Sequence, residues 1–151
     1  MAQDDQNFEM QLASGISAFE TKYFADAMKL LSPLAEEGNA EAQYRMAIMA
    51  QNGLGMVENA LMAYRYMRAA AESGFPPAQH GLGFMYLQGE CVDQNAQKAI
   101  EWFKKSADQG MVGSLATLGM MYKDGMGVEK DVEEARRWYK LAGFGDDEIG
   151  L

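Results

Sequence analysis

The sequence has little of the residue types on which metal sites and disulfide-stabilised domains depend. It contains one cysteine, Cys91, and one histidine, His80, among 151 residues. A single cysteine has no partner for an intramolecular disulfide, and a single histidine has no second imidazole or thiol on its helix face with which to hold a metal ion. The composition therefore predicts a protein without a metal or a cofactor. We expect Cys91 to be an exposed thiol on a loop and His80 to make a surface contact.

Basic residues and long apolar runs are also scarce. Thirteen lysines and arginines stand against 22 aspartates and glutamates, which gives a formal net charge of −9. A nucleic-acid surface must be basic, so this balance argues against nucleic acid and favours a protein partner that carries basic residues. No apolar run is long enough to span a membrane, and residues 1–7 lack the layout of a signal peptide. These features predict a cytoplasmic protein, or a periplasmic or secreted one if Met1 replaces a removed signal peptide.

What the sequence does contain is one stretch of 36 residues that occurs three times without a gap, at 38–73, 74–109 and 110–145. The aligned positions include Gly53, Gly89 and Gly125, then Ala63, Ala99 and Ala135, and the aromatic residues Tyr66, Trp102 and Trp138. A fixed period of this length predicts a solenoid, in which each unit buries its apolar face against its neighbours.

Each repeat contains two helical segments. In the central repeat they are predicted at Pro76–Gln88 and Ala96–Asp108, with Gly83 against the second helix. The predicted N-caps of the second helices are Asn59, Asn95 and Asp131. Glu134 is expected to complete a capping box with Asp131. The pattern predicts seven or eight helices and no strand, with buried methionines between helices and with Trp102 and Trp138 largely buried.

The repeated motif resembles a known family. The pattern A-x-x-x-L-G-x-x-Y-x-x-G-x-G-V, followed by D-x-x-x-A-x-x-W-Y-x-x-A, is similar to the Sel1-like repeat (SLR), a relative of the tetratricopeptide repeat. The last repeat matches best, at Leu118, Gly119, Tyr122, Gly125, Gly127, Val128, Asp131, Ala135, Trp138, Tyr139 and Ala142. The central repeat departs at Cys91, where the family has glycine. The resemblance implies an all-α, right-handed superhelical α/α solenoid of about four helical hairpins, of a kind known in bacteria.

The repeats divide the chain into four parts. Residues 1–7 are predicted to be a disordered tail, and residues 8–37 a capping hairpin of the tetratricopeptide type. Three SLR units follow at 38–145, and residues 146–151 form an acidic C-terminal tail. Because no polar capping helix is expected after Ala142, the last helix is predicted to leave an apolar face and to allow self-association.

The resemblance implies that the first helix of each hairpin lines a concave groove. The candidate partner-binding residues on these helices are Leu12, Ile16, Phe19, Tyr44, Ile48, His80, Phe84, Leu87, Met120 and Lys123. A solvent-facing helix surface is normally polar, whereas this one is mostly apolar and aromatic. We therefore expect a non-enzymatic adaptor that binds a peptide or helix, with Tyr44, Phe84, Leu87 and Met120 on one continuous surface. In the alternative, these residues bury one another or the C-terminal tail fills the groove.

Two other functions remain open at this point. Some SLR relatives resemble weak hydrolases of cell-wall or β-lactam substrates, although this sequence has no Ser-x-x-Lys pair. A purely architectural oligomer is the third possibility. The glycines of 53–55 and 125–127 could suggest a phosphate-binding loop, but no Lys-Ser or Lys-Thr pair follows them, and we interpret them as turns.

Overall fold

The computed structural model describes residues 2–151, with side chains from residue 4 onward, and all of its regular elements in that range are helices. They are α1 (Ala2–Glu20), α2 (Phe24–Glu36), α3 (Ala40–Asn52), α4 (Ala60–Glu72), α5 (Pro76–Gln88), α6 (Ala96–Asp108), α7 (Val112–Asp124), α8 (Val132–Leu141) and α9 (Asp146–Ile149). Eight of them pair along the chain as four hairpins, and α9 has only four residues. The all-α prediction is confirmed. The chain forms two compact units, Met1–Ala78 and Gln79–Leu151, which we call the N-terminal and C-terminal units.

The N-terminal unit has a continuous core along α1 to α4. Its buried cluster comprises Ala27, Leu31, Leu34, Ala35, Ala42, Met46 and Met49. Leu12, Ile16 and Phe19 of α1 are partly buried against this cluster. The disorder expected for residues 1–7 is wrong for the described part, because α1 begins at Ala2 and Asp4 and Asp5 lie in its first turn. Acidic side chains there interact favourably with the helix dipole. Met1 lies outside the described residues.

The C-terminal unit repeats the same packing. Leu82 and Met85 of α5 are buried, as are Phe103 of α6 and Leu118 and Met121 of α7. The equivalent methionines Met49, Met85 and Met121 are each at most 1% exposed, which confirms that they fill the core. Trp138 is buried as predicted, but Trp102 is only partly buried, and Lys105 Nζ lies 4.3 Å from the centre of its ring.

The predicted N-caps of the second helices are confirmed. Asn59, Asn95 and Asp131 each accept a hydrogen bond at 3.0 Å from the backbone N–H three residues later. Their own N–H groups donate to carbonyls near the ends of the preceding helices, those of Ala50, Tyr86 and Tyr122. These bonds fasten the loop to both helices of each hairpin.

The predicted capping box at Asp131 is wrong in its second half. The Asp131 N–H donates to the Tyr122 carbonyl, and the Glu134 carboxylate does not reach back to it. Glu134 Oε1 instead accepts from Arg137 Nη2 at 2.8 Å and from Trp138 Nε1 at 3.1 Å. Two donors on the following turn therefore hold this carboxylate away from the helix start.

The hairpins differ in the length of their connections. Residues 21–23 join α1 to α2, whereas residues 53–59 join α3 to α4. The loops at 53–59 and 125–131 carry a second glycine that packs on the preceding hairpin. A β-carbon at Gly55 would lie 2.6 Å from the Phe24 carbonyl carbon, and one at Gly127 would lie 2.6 Å from Ala96 Cβ. Both glycines have positive φ, so these segments are turns that also allow close packing.

The segment after α8 contains a short polar helix, α9, which the sequence did not predict. Lys140 Nζ lies 3.1 Å from Asp146 Oδ1, and Arg136 Nη2 donates to the carbonyl of Leu151 at 2.9 Å. The rings of Tyr139 and Phe144 meet edge to face at 5.7 Å. These contacts attach residues 146–151 to α8.

Candidate protein-binding faces

The predicted binding residues of the N-terminal unit are all partly buried. We call Leu12, Ile16, Phe19, Tyr44 and Ile48 the N-terminal face. Phe19 meets Phe24 edge to face at 5.8 Å between ring centres, and Tyr44 meets Phe75 in the same way at 5.6 Å. Burial raises the pKa of Tyr44, and the positive charge of Arg45 lowers it to a smaller extent. These aromatic residues therefore contribute to packing as well as to the surface.

Arg45 lies on the same side of α3 and was not among the predicted residues. Its guanidinium carbon is 5.9 Å from the centre of the Phe19 ring, and its Nη1 donates to the Glu41 carbonyl at 3.1 Å. Its Nε is buried and has no hydrogen-bond partner. The sequence repeat shows that Arg45 is unusual. The equivalent residues in the other two repeats are Gly81 and Thr117, so only the first repeat has a charge at this position.

The C-terminal face, which we define as His80, Phe84, Met120 and Lys123, is built around an aromatic cluster. The rings of His80 and Phe84 are 4.9 Å apart, and they lie 5.6 and 5.1 Å from the buried ring of Phe103. His80 Nδ1 lies at hydrogen-bond distance, 2.7 Å, from Ser114 Oγ. Burial lowers the pKa of His80. The cluster therefore disfavours the charged form of this imidazole.

Leu87 does not belong to this face, contrary to the prediction. It is only 7% exposed. The loop after α5 returns to the end of this helix, where Gln94 Nε2 donates to the Leu87 carbonyl at 2.8 Å. The repeat pattern does not reveal that this side chain is buried.

Ser114 and His80 are the hydroxyl and imidazole that the structure brings within hydrogen-bond distance. Ser114 is fully buried, so the Ser114–His80 pair offers no accessible nucleophile. In the part of the chain with described side chains, no three His, Cys, Asp or Glu residues lie together as a metal site would require. Cys91 is partly buried rather than exposed, and its φ is 64°. None of the described helices is both long and apolar enough to cross a membrane.

Two open depressions lie elsewhere, both in the N-terminal unit. One, of about 690 Å³, lies between α1 and α2 and includes Ser17, Asp26 and Lys29. The other, of about 380 Å³, lies on α4 and includes Leu61 and Tyr66. The residues that line both depressions lie outside the predicted faces, and the sequence pattern did not indicate either depression.

Paired antiparallel helices that repeat at a fixed period define an α/α-repeat protein. The sequence matches the family described as the Sel1 repeat at residues 40–75, 76–111 and 114–143, and the chain belongs to this family. Proteins built from this repeat are generally scaffolds for protein interaction. A search of curated proteins finds no match.

Solved structures show the same fold. A Sel1 repeat protein from Oxalobacter formigenes is 31% identical, with a TM-score of 0.83 over 92% of this chain and 56% of that one. A protective antigen of uropathogenic Escherichia coli with an SLR fold is 27% identical, with a TM-score of 0.85 over 93% of this chain and 31% of that one. The cysteine-rich protein B of Helicobacter pylori, 20% identical with a TM-score of 0.59 over 92% of this chain and 95% of that one, shares the fold. The chain thus spans about half of the first of these proteins and about a third of the second.

Proposed function

We propose that this chain is a non-enzymatic adaptor whose first-helix faces bind a peptide or helical segment of a partner protein. The observation that carries the proposal is that the exposed side chains of those faces are mostly apolar. Leu12, Ile16 and Ile48 in one unit, and Phe84 and Met120 in the other, are partly exposed on helices whose outer surface is normally polar. Apolar surface of this kind is typical of partner sites.

The partner segment is expected to combine apolar anchors with lysine or arginine. Burial of one large apolar side chain contributes about 1.5–3 kcal/mol before ordering costs, so two or three anchors support binding in the micromolar range. The chain carries a formal net charge of −9, which attracts basic residues beside the anchors. Added salt should therefore weaken binding moderately.

The choice of variants follows from the packing. Alanine at Tyr44 or Phe84 would remove contacts with Phe75 or Phe103, so a loss of binding there could be a loss of stability. Ile48→Gln and Met120→Gln introduce a polar group at nearly constant length, one in each unit. Leu61→Gln and Leu141→Gln are the matched controls, because these leucines are 58% and 59% exposed on the second helices α4 and α8.

The experiment selects peptides from a random display library on the full chain and measures their affinity for each variant. We expect Ile48→Gln or Met120→Gln to weaken binding about tenfold or more, since each replaces about one buried apolar anchor. The two controls should leave the affinity unchanged, and all four variants should melt close to the wild type. If Leu61→Gln alone abolished binding, the site would be the α4 depression, and the proposal would be wrong.

A further inference from the structure

We propose that Arg45 binds a carboxylate of the partner segment, and so fixes the position of an acidic residue on the N-terminal face. This inference rests on the proposed function and adds the ligand chemistry of one point on that face. Arg45 stands beside Phe19 of α1 and one turn before Ile48 of α3. It is therefore placed between two of the helices that the partner would contact.

The guanidinium of Arg45 has donors to spare. A guanidinium offers five N–H donors, and the hydrogen bond to the Glu41 carbonyl uses one of them. The arginines that form ion pairs among the described residues are Arg68, Arg136 and Arg137. The Glu41 carboxylate, one turn away on α3, forms no ion pair with Arg45. The cation is thus held by its own helix and left without a counter-ion.

The buried, unpaired Nε distinguishes this arginine from an ordinary surface charge. A buried donor without a partner is unfavourable, and such groups are rare in native proteins unless water, an ion or a ligand satisfies them. Nε has almost no accessible surface in this structure, so the guanidinium must turn outward to meet a ligand. A carboxylate then satisfies it, because its two oxygens accept parallel hydrogen bonds from Nε and one Nη. A single arginine in an acidic protein suits a singly charged carboxylate better than a doubly charged phosphate.

The repeat shows that packing does not require a cation at this position. The equivalent residues, Gly81 in α5 and Thr117 in α7, are uncharged, and their hairpins form in the same way. Arg45 therefore provides a feature that the other hairpins lack. In a partner with basic residues along most of its length, one acidic residue opposite Arg45 would set its register on the chain.

The first test compares peptide selections on the full chain. A random display library is selected on the wild type, on Arg45→Gln and on Arg65→Gln, a control whose side chain is exposed on α4. We expect wild type and the Arg65 variant to enrich Asp or Glu at one fixed spacing from the apolar anchors. With Arg45→Gln the anchors should remain and the acidic preference should disappear. For one selected peptide, Asp→Asn or Glu→Gln should weaken wild-type binding about tenfold or more.

The second test observes Arg45 directly and needs no selected peptide. The Nε–H resonance of Arg45 is assigned in ¹⁵N-labelled protein by its loss in Arg45→Lys. It is then titrated with N-acetyl-leucine, which carries an apolar side chain and a carboxylate, and with the neutral N-acetyl-leucinamide. We expect a saturable shift with the acid alone, larger at Arg45 than at Arg65.

The outcomes separate the two proposals. Peptides that keep apolar anchors but show no acidic position would refute the role of Arg45 and leave the adaptor function standing. A failure to select any peptide would contradict the adaptor function, and the titration would then decide on Arg45 by itself. Equal responses of Arg45 and Arg65, or no response to the acid, would mean that Arg45 does not bind a carboxylate and that the inference is wrong.

Discussion

Gly83 of α5 lies directly against the ring of Phe103 in α6: a β-carbon built on Gly83 would stand 2.7 Å from Phe103 Cε1. Two other hairpins repeat this pairing, with Gly119 against the ring of Tyr139 at 2.9 Å and Gly15 against Leu31 at 2.5 Å. In the first repeat the equivalent residues are Ala47 and Met67, both buried. Glycine thus accompanies a ring or a branched leucine, and alanine accompanies the flexible methionine.

This pairing predicts a compensating double mutation. Gly83→Ala should destabilise the fold by about 1–3 kcal/mol, because overpacking of a filled core costs that much. Phe103→Met recreates the first-repeat pair and should recover part of the loss, so the double variant should be more stable than Gly83→Ala alone. Urea unfolding of the four proteins measures the coupling. Strict additivity of the two single effects would contradict this explanation of the glycine.

Cys91 should be a source of backbone strain. Its φ of 64° is close to the 68° and 71° of Gly55 and Gly127, the glycines at the equivalent loop positions. A left-handed conformation costs a non-glycine residue about 1–2 kcal/mol, and the entropy of glycine in the unfolded chain offsets about 0.5–1 kcal/mol of that. We expect Cys91→Gly to raise the free energy of unfolding by up to about 1 kcal/mol, while Cys91→Ser, which keeps the strain, should not. Equal stabilities of the two variants would show that the cysteine is relaxed there.

His80 should make stability depend on pH near neutrality. Burial lowers its pKa in the folded state below the unfolded value of about 6.5, so the unfolded chain binds the proton more readily. The contribution is therefore fully present above pH 6.5 and is lost as the pH falls through and below that value. Urea unfolding between pH 7.5 and 5.5 should show this decrease in the wild type and a flatter profile in His80→Gln. Because the chain has one histidine, an unchanged profile in the variant would assign the effect elsewhere.

Self-association through α8 is still a prediction, and the structure changes the residues that would carry it. Trp138 is 6% exposed and unavailable, whereas Leu141 is 59% and Phe144 is 37% exposed. We expect sedimentation at millimolar protein to show concentration-dependent association that Leu141→Gln suppresses and Leu61→Gln does not. A wild type that remains monomeric throughout would rule this contact out.

Local spacing predicted the fold well because helix ends and caps depend on neighbouring residues in the chain. The predicted bounds of α5 and α6 coincide with the structure, and the N-caps Asn95 and Asp131 act as expected. The wrong predictions concern side chains whose contacts depend on residues outside the local motif. Glu134 has two donors nearer than the helix start, and Leu87 is buried near the end of α5. A repeat alignment shows which positions are equivalent, but it does not show which neighbouring group each side chain contacts.

The short connection at residues 21–23 has a practical consequence for comparing the hairpins. α1, α3 and α5 end at Glu20, Asn52 and Gln88, so equivalent positions on the first helices are offset by 32 residues and then by 36. The glycine contact at Leu31 nevertheless matches the one at Phe103. The length of the connection can therefore vary while the contact between the two helices of a hairpin stays the same. If the sequence of residues 53–59 replaced residues 21–23, the Gly15–Leu31 contact should remain intact.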